Sequence, residues 1–141
     1  MNAAELKRFP LLAEFDDEDR EALAELVDEH TASKGVPLFR EGSEAEGLLL
    51  VLSGDVRLES RRTGSSDRVG AGAALGALSL MVVGPREATA LAESACRVLL
   101  LPRTSFHRLT SDHPRTACRL AEAIVREMAA TLRDGLEAIA R

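Results

Sequence analysis

Lysine is almost absent from this chain. Lys7 and Lys34 are the only two, so nearly all positive charge sits on arginine, a habit of genome composition. Lys and Arg together number 18 against 23 Asp and Glu, for a net charge of −5. That balance excludes a broad basic surface, so the chain is not expected to bind DNA by itself. Cysteine is scarce too: Cys96 and Cys118 stand apart without C-x-x-C spacing and read as core or surface bystanders. With no signal peptide and no apolar run of membrane-spanning length, the expected location is a reducing cytoplasm, without membrane contact. The signatures of catalysis are missing as well. His30, His107 and His113 form no H-x-H pair, and neither a nucleophile elbow nor a Walker-type loop occurs. No metal site and no enzymatic activity are therefore expected, and each histidine reads as a surface or capping residue.

What is present suits one folded domain spanning residues 1–141. Its 45% apolar content is enough to bury a core without disulfides or metal. The pattern divides into three parts. Residues 1–30 are expected to be helical. Leu6, Phe9, Leu11, Leu12 and Phe15 would form short packed turns, with Asp16 capping a helix over Asp17–Glu29 whose first turn is acidic. Residues 31–101 break into short apolar runs separated by glycines, the pattern of an antiparallel β-roll or jelly-roll-like barrel. Within them Leu48–Leu52 reads as a buried strand, Gly54 as a turn glycine with positive φ, and Val56–Glu59 as an alternating strand. Arg61–Arg68 holds no apolar residue and reads as a loop.

Ala95–Leu101 is the last expected strand, ending at Pro102. In residues 102–141 the helical period returns. A short helix through Phe106 and Leu109 should break near Ser111 and Asp112, and Pro114 fits the first position of the next helix, where its missing N–H costs nothing. On that long C-terminal helix Leu120, Ile124, Met128, Leu132, Leu136 and Ile139 step by four or three residues. This stripe covers the barrel with apolar surface left over, which predicts a homodimer. The expected fold class is thus mostly β with flanking helices.

The chemistry concentrates in Leu75–Ala90, L-G-A-L-S-L-M-V-V-G-P-R-E-A-T-A, where a glycine-bearing turn precedes a lone arginine, Arg86. Successive inward-facing amides make an anion-binding nest, and a guanidinium over it adds a fork for two phosphate oxygens. Together with E-G-S-E-A-E-G-L-L-L-V-L-S-G-D-V-R-L at Glu41–Leu58, this stretch resembles the cyclic-nucleotide-binding domain family, of the catabolite-activator-protein-like effector type. The family pattern reads roughly G-x-x-F-G-E-L-x-L, then P-R-x-A-T. This chain supplies Gly72, Leu75, Gly76, Ala77, Leu78 and Leu80, then Pro85, Arg86, Ala88 and Thr89.

The resemblance implies that turn amides at Gly76, Ala77 and Leu78, with Arg86 and its neighbours Glu87 and Ala88, take the cyclic phosphate. It also implies that the last helix covers the base and pairs with its twin. Two positions depart from the pattern. Ala77 stands in the slot of the glutamate that accepts the ribose hydroxyl. Losing such a bond removes about 1.5–3 kcal/mol, on the order of a hundredfold in affinity. Glu87 replaces a small or hydroxylated residue, and either turns outward or bridges to Arg86 and fills the phosphate site from within. At the purine end Thr131 reads as a packing spacer and Arg126 as solvent-facing.

Three functions follow. The first is a regulatory module that senses cyclic AMP, cyclic GMP or a similar small anion, cyclic dinucleotides included, and signals through its last helix, with no cofactor. The second is a degenerate, non-binding dimerisation or docking scaffold. The third is the effector portion of a transcription regulator, ending at Arg141 without a helix-turn-helix.

Overall fold

The computed structural model describes residues 1–140, with the side chains of 137–140 outside that description. Two short 3₁₀ turns, Ala3–Arg8 and Pro10–Leu12, bury Leu6, Leu11 and Leu12. Asp16 then caps α1 (Asp17–Ala24). Its carboxylate accepts from the Asp19 N–H while the Asp19 carboxylate accepts from the Asp16 N–H, satisfying two amides that a helix start leaves unpaired.

The helix stops short of the expected Glu29. The Leu26 and Val27 amides both turn onto the Leu23 carbonyl, and the chain enters β1 (Asp28–Ala32), an edge strand paired with β8 (Cys96–Pro102). An edge strand solvated on both faces needs no apolar alternation, so its D-E-H-T residues carry no strand signal. The roll therefore begins at 28 and ends at 102, not at 31 and 101. His30 consequently lies within a strand, at the rim of the sheet.

Among the described residues eight strands form two antiparallel four-stranded sheets, the expected β-roll. One has the order β1-β8-β3-β6, and the other β2-β7-β4-β5. The remaining strands are β2 (Pro37–Phe39), β3 (Gly47–Ser53), β4 (Val56–Glu59), β5 (Ser66–Val69), β6 (Ala74–Leu75) and β7 (Thr89–Ala92). β3 is buried on both faces. Leu48, Leu50 and Leu52 pack with Phe9, Leu23, Phe106 and Leu120 beneath the helices, whereas Leu49 and Val51 pack with Val56, Ala90 and Val98 between the sheets. Each such leucine stabilises the fold by about 1.5–3 kcal/mol, and serving two cores makes β3 a continuous apolar run. Gly54 turns the chain from β3 into β4 at φ 95°, and a β-carbon there would strike the Ala95 carbonyl and the Cys96 thiol.

The last three residues of the expected loop 61–68 are strand. Ser66–Val69 pairs with β4 as the exposed edge of the second sheet, which again imposes no apolar pattern.

After β8 come α2 (Arg103–Asp112) and α3 (Pro114–Ala140), separated at His113 as the proline predicts. The root of α3 is tied to α1. The Thr116 hydroxyl and the Arg119 guanidinium both donate to the fully buried Asp19 carboxylate. Burial alone would raise the Asp19 pKa, but the bonds from Thr116, the Asp16 amide and Arg119 hold it at about 2. Along α3 Leu120 and Ile124 are buried, while Met128, Leu132 and Leu136 are 43%, 65% and 55% exposed. The Ile139 side chain lies outside the described residues.

Candidate anion site

β6 ends at Gly76, whose left-handed backbone (φ 72°, ψ 31°) starts a 3₁₀ turn, Ala77–Leu80. The Ser79 hydroxyl reaches the Gly47 carbonyl at 2.7 Å and the Gly76 carbonyl at 2.5 Å, fixing the turn against the start of β3. Arg103, the first residue of α2, holds the turn from the other side. Its Nε donates to the Ser79 carbonyl at 2.8 Å and its Nη2 to the Ala45 carbonyl at 2.7 Å.

Arg86 lies in the loop ahead of β7, which starts only at Thr89. Its amide donates to the Ser43 carbonyl at 2.7 Å and its carbonyl accepts from the Gly42 amide at 2.8 Å, so a loop rather than a ladder positions it. The side chain is only 7% exposed. Nη2 donates to the Gly47 carbonyl at 3.0 Å, and the guanidinium lies 4.2 Å from the centre of the Phe39 ring. Nε and Nη1 are buried without a hydrogen-bond partner, and among the described residues Arg86 forms no ion pair. Burial lowers its pKa from the ordinary guanidinium value, the Glu46 charge opposes that shift, and Arg103 adds to it.

A cavity of about 380 Å³ opens against this arginine. Gly76, Leu78, Arg86, Glu87 and Ala88 line it together, with Phe39, Leu58 and Val82 supplying apolar walls. Ala77 lies apart from that group. It lines an adjoining cavity of about 440 Å³ beneath α3, which shares Gly76, Leu78 and Glu87 and adds Glu127, Met128 and Thr131. Glu87 is exposed and makes no bridge to Arg86, so the site is not filled from within by that pair.

At the helix, the Thr131 hydroxyl donates to the Glu127 carbonyl at 3.1 Å. Arg126 turns to Glu14 and Glu122, at 3.2 and 4.0 Å, away from the arginine cavity. Sequence reasoning missed Ser79 and Arg103, which act on backbone carbonyls distant in the chain. Only Ser79's place inside the turn motif could have signalled its role. Among the described residues no cluster of His, Cys, Asp and Glu could hold a metal ion, and no helix is long and apolar enough to cross a membrane.

This arrangement can bind an anion by charge-assisted hydrogen bonds. The model of a family described as the cyclic nucleotide-binding domain matches residues 29–113. A lysophospholipase nte1 of Neurospora crassa is 32% identical over 106 residues, 72% of this chain but 7% of that protein. The cyclic AMP receptor protein of Thermus thermophilus is 33% identical over 99 residues, 67% of this chain and 46% of that one. The chain thus spans less than half the length of these curated relatives. Among solved structures, the N-terminal domain of a transcriptional regulator from Streptomyces coelicolor A3(2) superposes with a TM-score of 0.80 at 32% identity, covering 94% of both chains. The catabolite activator protein of Thermus thermophilus gives 0.74 at 28% identity over 92% of this chain and 63% of its own. By sequence motif, fold and these matches, the chain belongs to the cyclic nucleotide-binding domain family.

Proposed function

We propose that the chain is a regulatory ligand-sensing module. A cyclic nucleotide or similar small anion enters between the Gly76 turn and Arg86, and occupancy biases the position of α3, which a partner reads. One observation carries this reading: Arg86, a residue only 7% exposed, keeps two guanidinium nitrogens unpartnered, forms no ion pair among the described residues and borders an open cavity. A buried charge left in that state is costly, and a bound anion would relieve it. Similarity to a cyclic AMP receptor protein and to a cAMP-dependent protein kinase regulatory subunit supports cyclic AMP or cyclic GMP as the first ligands to test.

The exposed apolar stripe of α3 supports a homodimer, and the chain works in the cytoplasm as a regulator rather than an enzyme. Ala77, which offers no polar side-chain atom to the α3-side cavity, favours a second reading in which nucleotide affinity has been lost and the domain serves as a scaffold. The match to a transcriptional regulator's N-terminal domain favours placing either version upstream of a separate DNA-reading unit.

Isothermal titration calorimetry with cyclic AMP and cyclic GMP decides between them. The sensing reading expects micromolar binding that Arg86→Ala abolishes. Absence of heat at millimolar nucleotide would leave the scaffold.

A further inference from the structure

We infer that the Ser79 hydroxyl is a two-position donor that takes over the Gly47 carbonyl when Arg86 turns to a bound anion, which makes Ser79 a positioning residue for ligand uptake. The inference rests on the ligand-sensing reading above and adds how the arginine is released to the ligand.

Arg86 is parked. Its guanidinium lies against the Gly76 backbone and over the Phe39 ring, and Nε and Nη1 are sealed from water as well as unpartnered. An anion in the adjoining cavity therefore cannot reach those two nitrogens where they lie. The guanidinium has to turn out of its bed. The hydrogen bond holding it there runs from Nη2 to the Gly47 carbonyl at 3.0 Å, so the cost of turning depends on what that carbonyl loses.

The backbone offers the Gly47 carbonyl no substitute. Across β8 Gly47 stands opposite Pro102, which carries no N–H. On the other side Leu49 faces Leu75, so Gly47 would face residue 77, but β6 ends at Leu75 and the left-handed Gly76 takes the chain out of the ladder. Gly47 is buried, and a carbonyl left there without a donor is costly.

Ser79 can supply the donor. Its hydroxyl stands 2.7 Å from the Gly47 carbonyl and 2.5 Å from the Gly76 carbonyl, yet it carries a single proton and serves one of them at a time. The Gly76 carbonyl does not depend on it, because the Ser79 amide also donates there, at 3.0 Å. While Arg86 is parked, the Gly47 carbonyl does not depend on it either. The hydroxyl proton is thus in surplus in the ligand-free protein. Once Arg86 leaves, it is committed to Gly47, and at 6% exposure Ser79 sits where bulk water cannot do the same. One bond passes from arginine to serine, and the guanidinium is freed for the anion without a buried acceptor being orphaned.

Calorimetry with cyclic AMP on the intact native chain, Ser79→Ala and Ser79→Thr tests this, together with urea denaturation of each without ligand. Ser79→Ala should bind roughly tenfold more weakly or worse, the scale of one buried acceptor left without a donor. Its urea midpoint without ligand should stay close to the native one, because the parked arginine still serves Gly47. Ser79→Thr keeps the hydroxyl and should restore the affinity. A residue that merely staples the turn would give the opposite pattern, a lowered midpoint or an unfolded chain with unchanged affinity in whatever folds. That pattern, equal affinity of native chain and Ser79→Ala, or a threonine variant as weak as the alanine one would overturn the inference.

A crystal structure of the native chain with cyclic AMP gives a check that needs no variant. Nη2 of Arg86 should have left hydrogen-bonding distance of the Gly47 carbonyl while the Ser79 hydroxyl remains within it. An arginine that holds the nucleotide and Gly47 together would overturn the inference and leave the sensing function standing. A native chain that gives no heat with cyclic AMP or cyclic GMP removes the ligand-sensing reading and this one with it.

Discussion

Nη1 of Arg86 occupies the place where a β-carbon on residue 76 would stand. Turn and arginine are therefore fitted to each other, and the glycine is required twice, once for its left-handed backbone and once for the guanidinium against it. Gly76→Ala should cost about 1–2 kcal/mol of stability from the backbone conformation and more from the displaced arginine. Urea denaturation would register the loss, and calorimetry on the folded fraction should show no binding of cyclic AMP.

Burial of an uncompensated charge makes Arg86 a weak point of the ligand-free fold. Its bond to Gly47 and its stacking on Phe39 offset part of the desolvation. Arg86→Met keeps an unbranched apolar stem and removes the charge, so the free protein should gain about 1 kcal/mol or more. Chemical denaturation without ligand would show the gain. Stability and binding would then move in opposite directions, the mark of a residue retained for its ligand.

Asp19 supplies a pH dependence with a defined sign. Its carboxyl group titrates at about 2 in the fold against an ordinary value of 3.8, so the native state binds its proton less readily than the unfolded chain does. The resulting stability, about 2 kcal/mol, is fully present above pH 4 and drains away as the pH falls toward 2. Asp19→Asn should therefore be clearly less stable than the native chain at pH 7, with the deficit shrinking on acidification. Denaturation midpoints at pH 7, 4 and 2.5 check this, and a deficit that does not vary with pH would contradict it.

The exposed run Val125, Met128, Leu132 and Leu136 is unusual for a free helix. If a second copy covers it, the chain sediments as a dimer, and Leu132→Glu places a charge in the seam and yields a monomer with an unchanged fold by circular dichroism. A native chain that sediments as a monomer at high concentration would count against the pairing.

Local chemistry was legible where it determines local structure. Asp16 as a cap, Gly54 at a turn, Pro114 at a helix start and the apolar run of β3 each follow from neighbours a few residues away. Edge strands were not legible, because β1 and β5 are held by backbone pairing to β8 and β4 while their side chains face water. At the site the same division holds. Gly76 and Arg86 are visible as a contiguous motif, while whether Glu87 turns outward or bridges to Arg86 is a matter of side-chain direction that adjacency does not determine. Ser79 and Arg103 donate to the carbonyls of Gly47 and Ala45, and a carbonyl belongs to every residue, so no residue type could have revealed those partners.

The tether between Asp19 and the beginning of α3 gives the helix a fulcrum. Packing continues as far as Ile124, and beyond it Met128, Leu132 and Leu136 are exposed along the rod. At 1.5 Å per residue the overhang from Ile124 to Leu136 is about 18 Å long, so a tilt of about 10° at the pocket sweeps its tip through about 3 Å. Motion too slight to disturb the barrel thus becomes displacement on the scale of a side chain at the distal end, where another molecule could feel it.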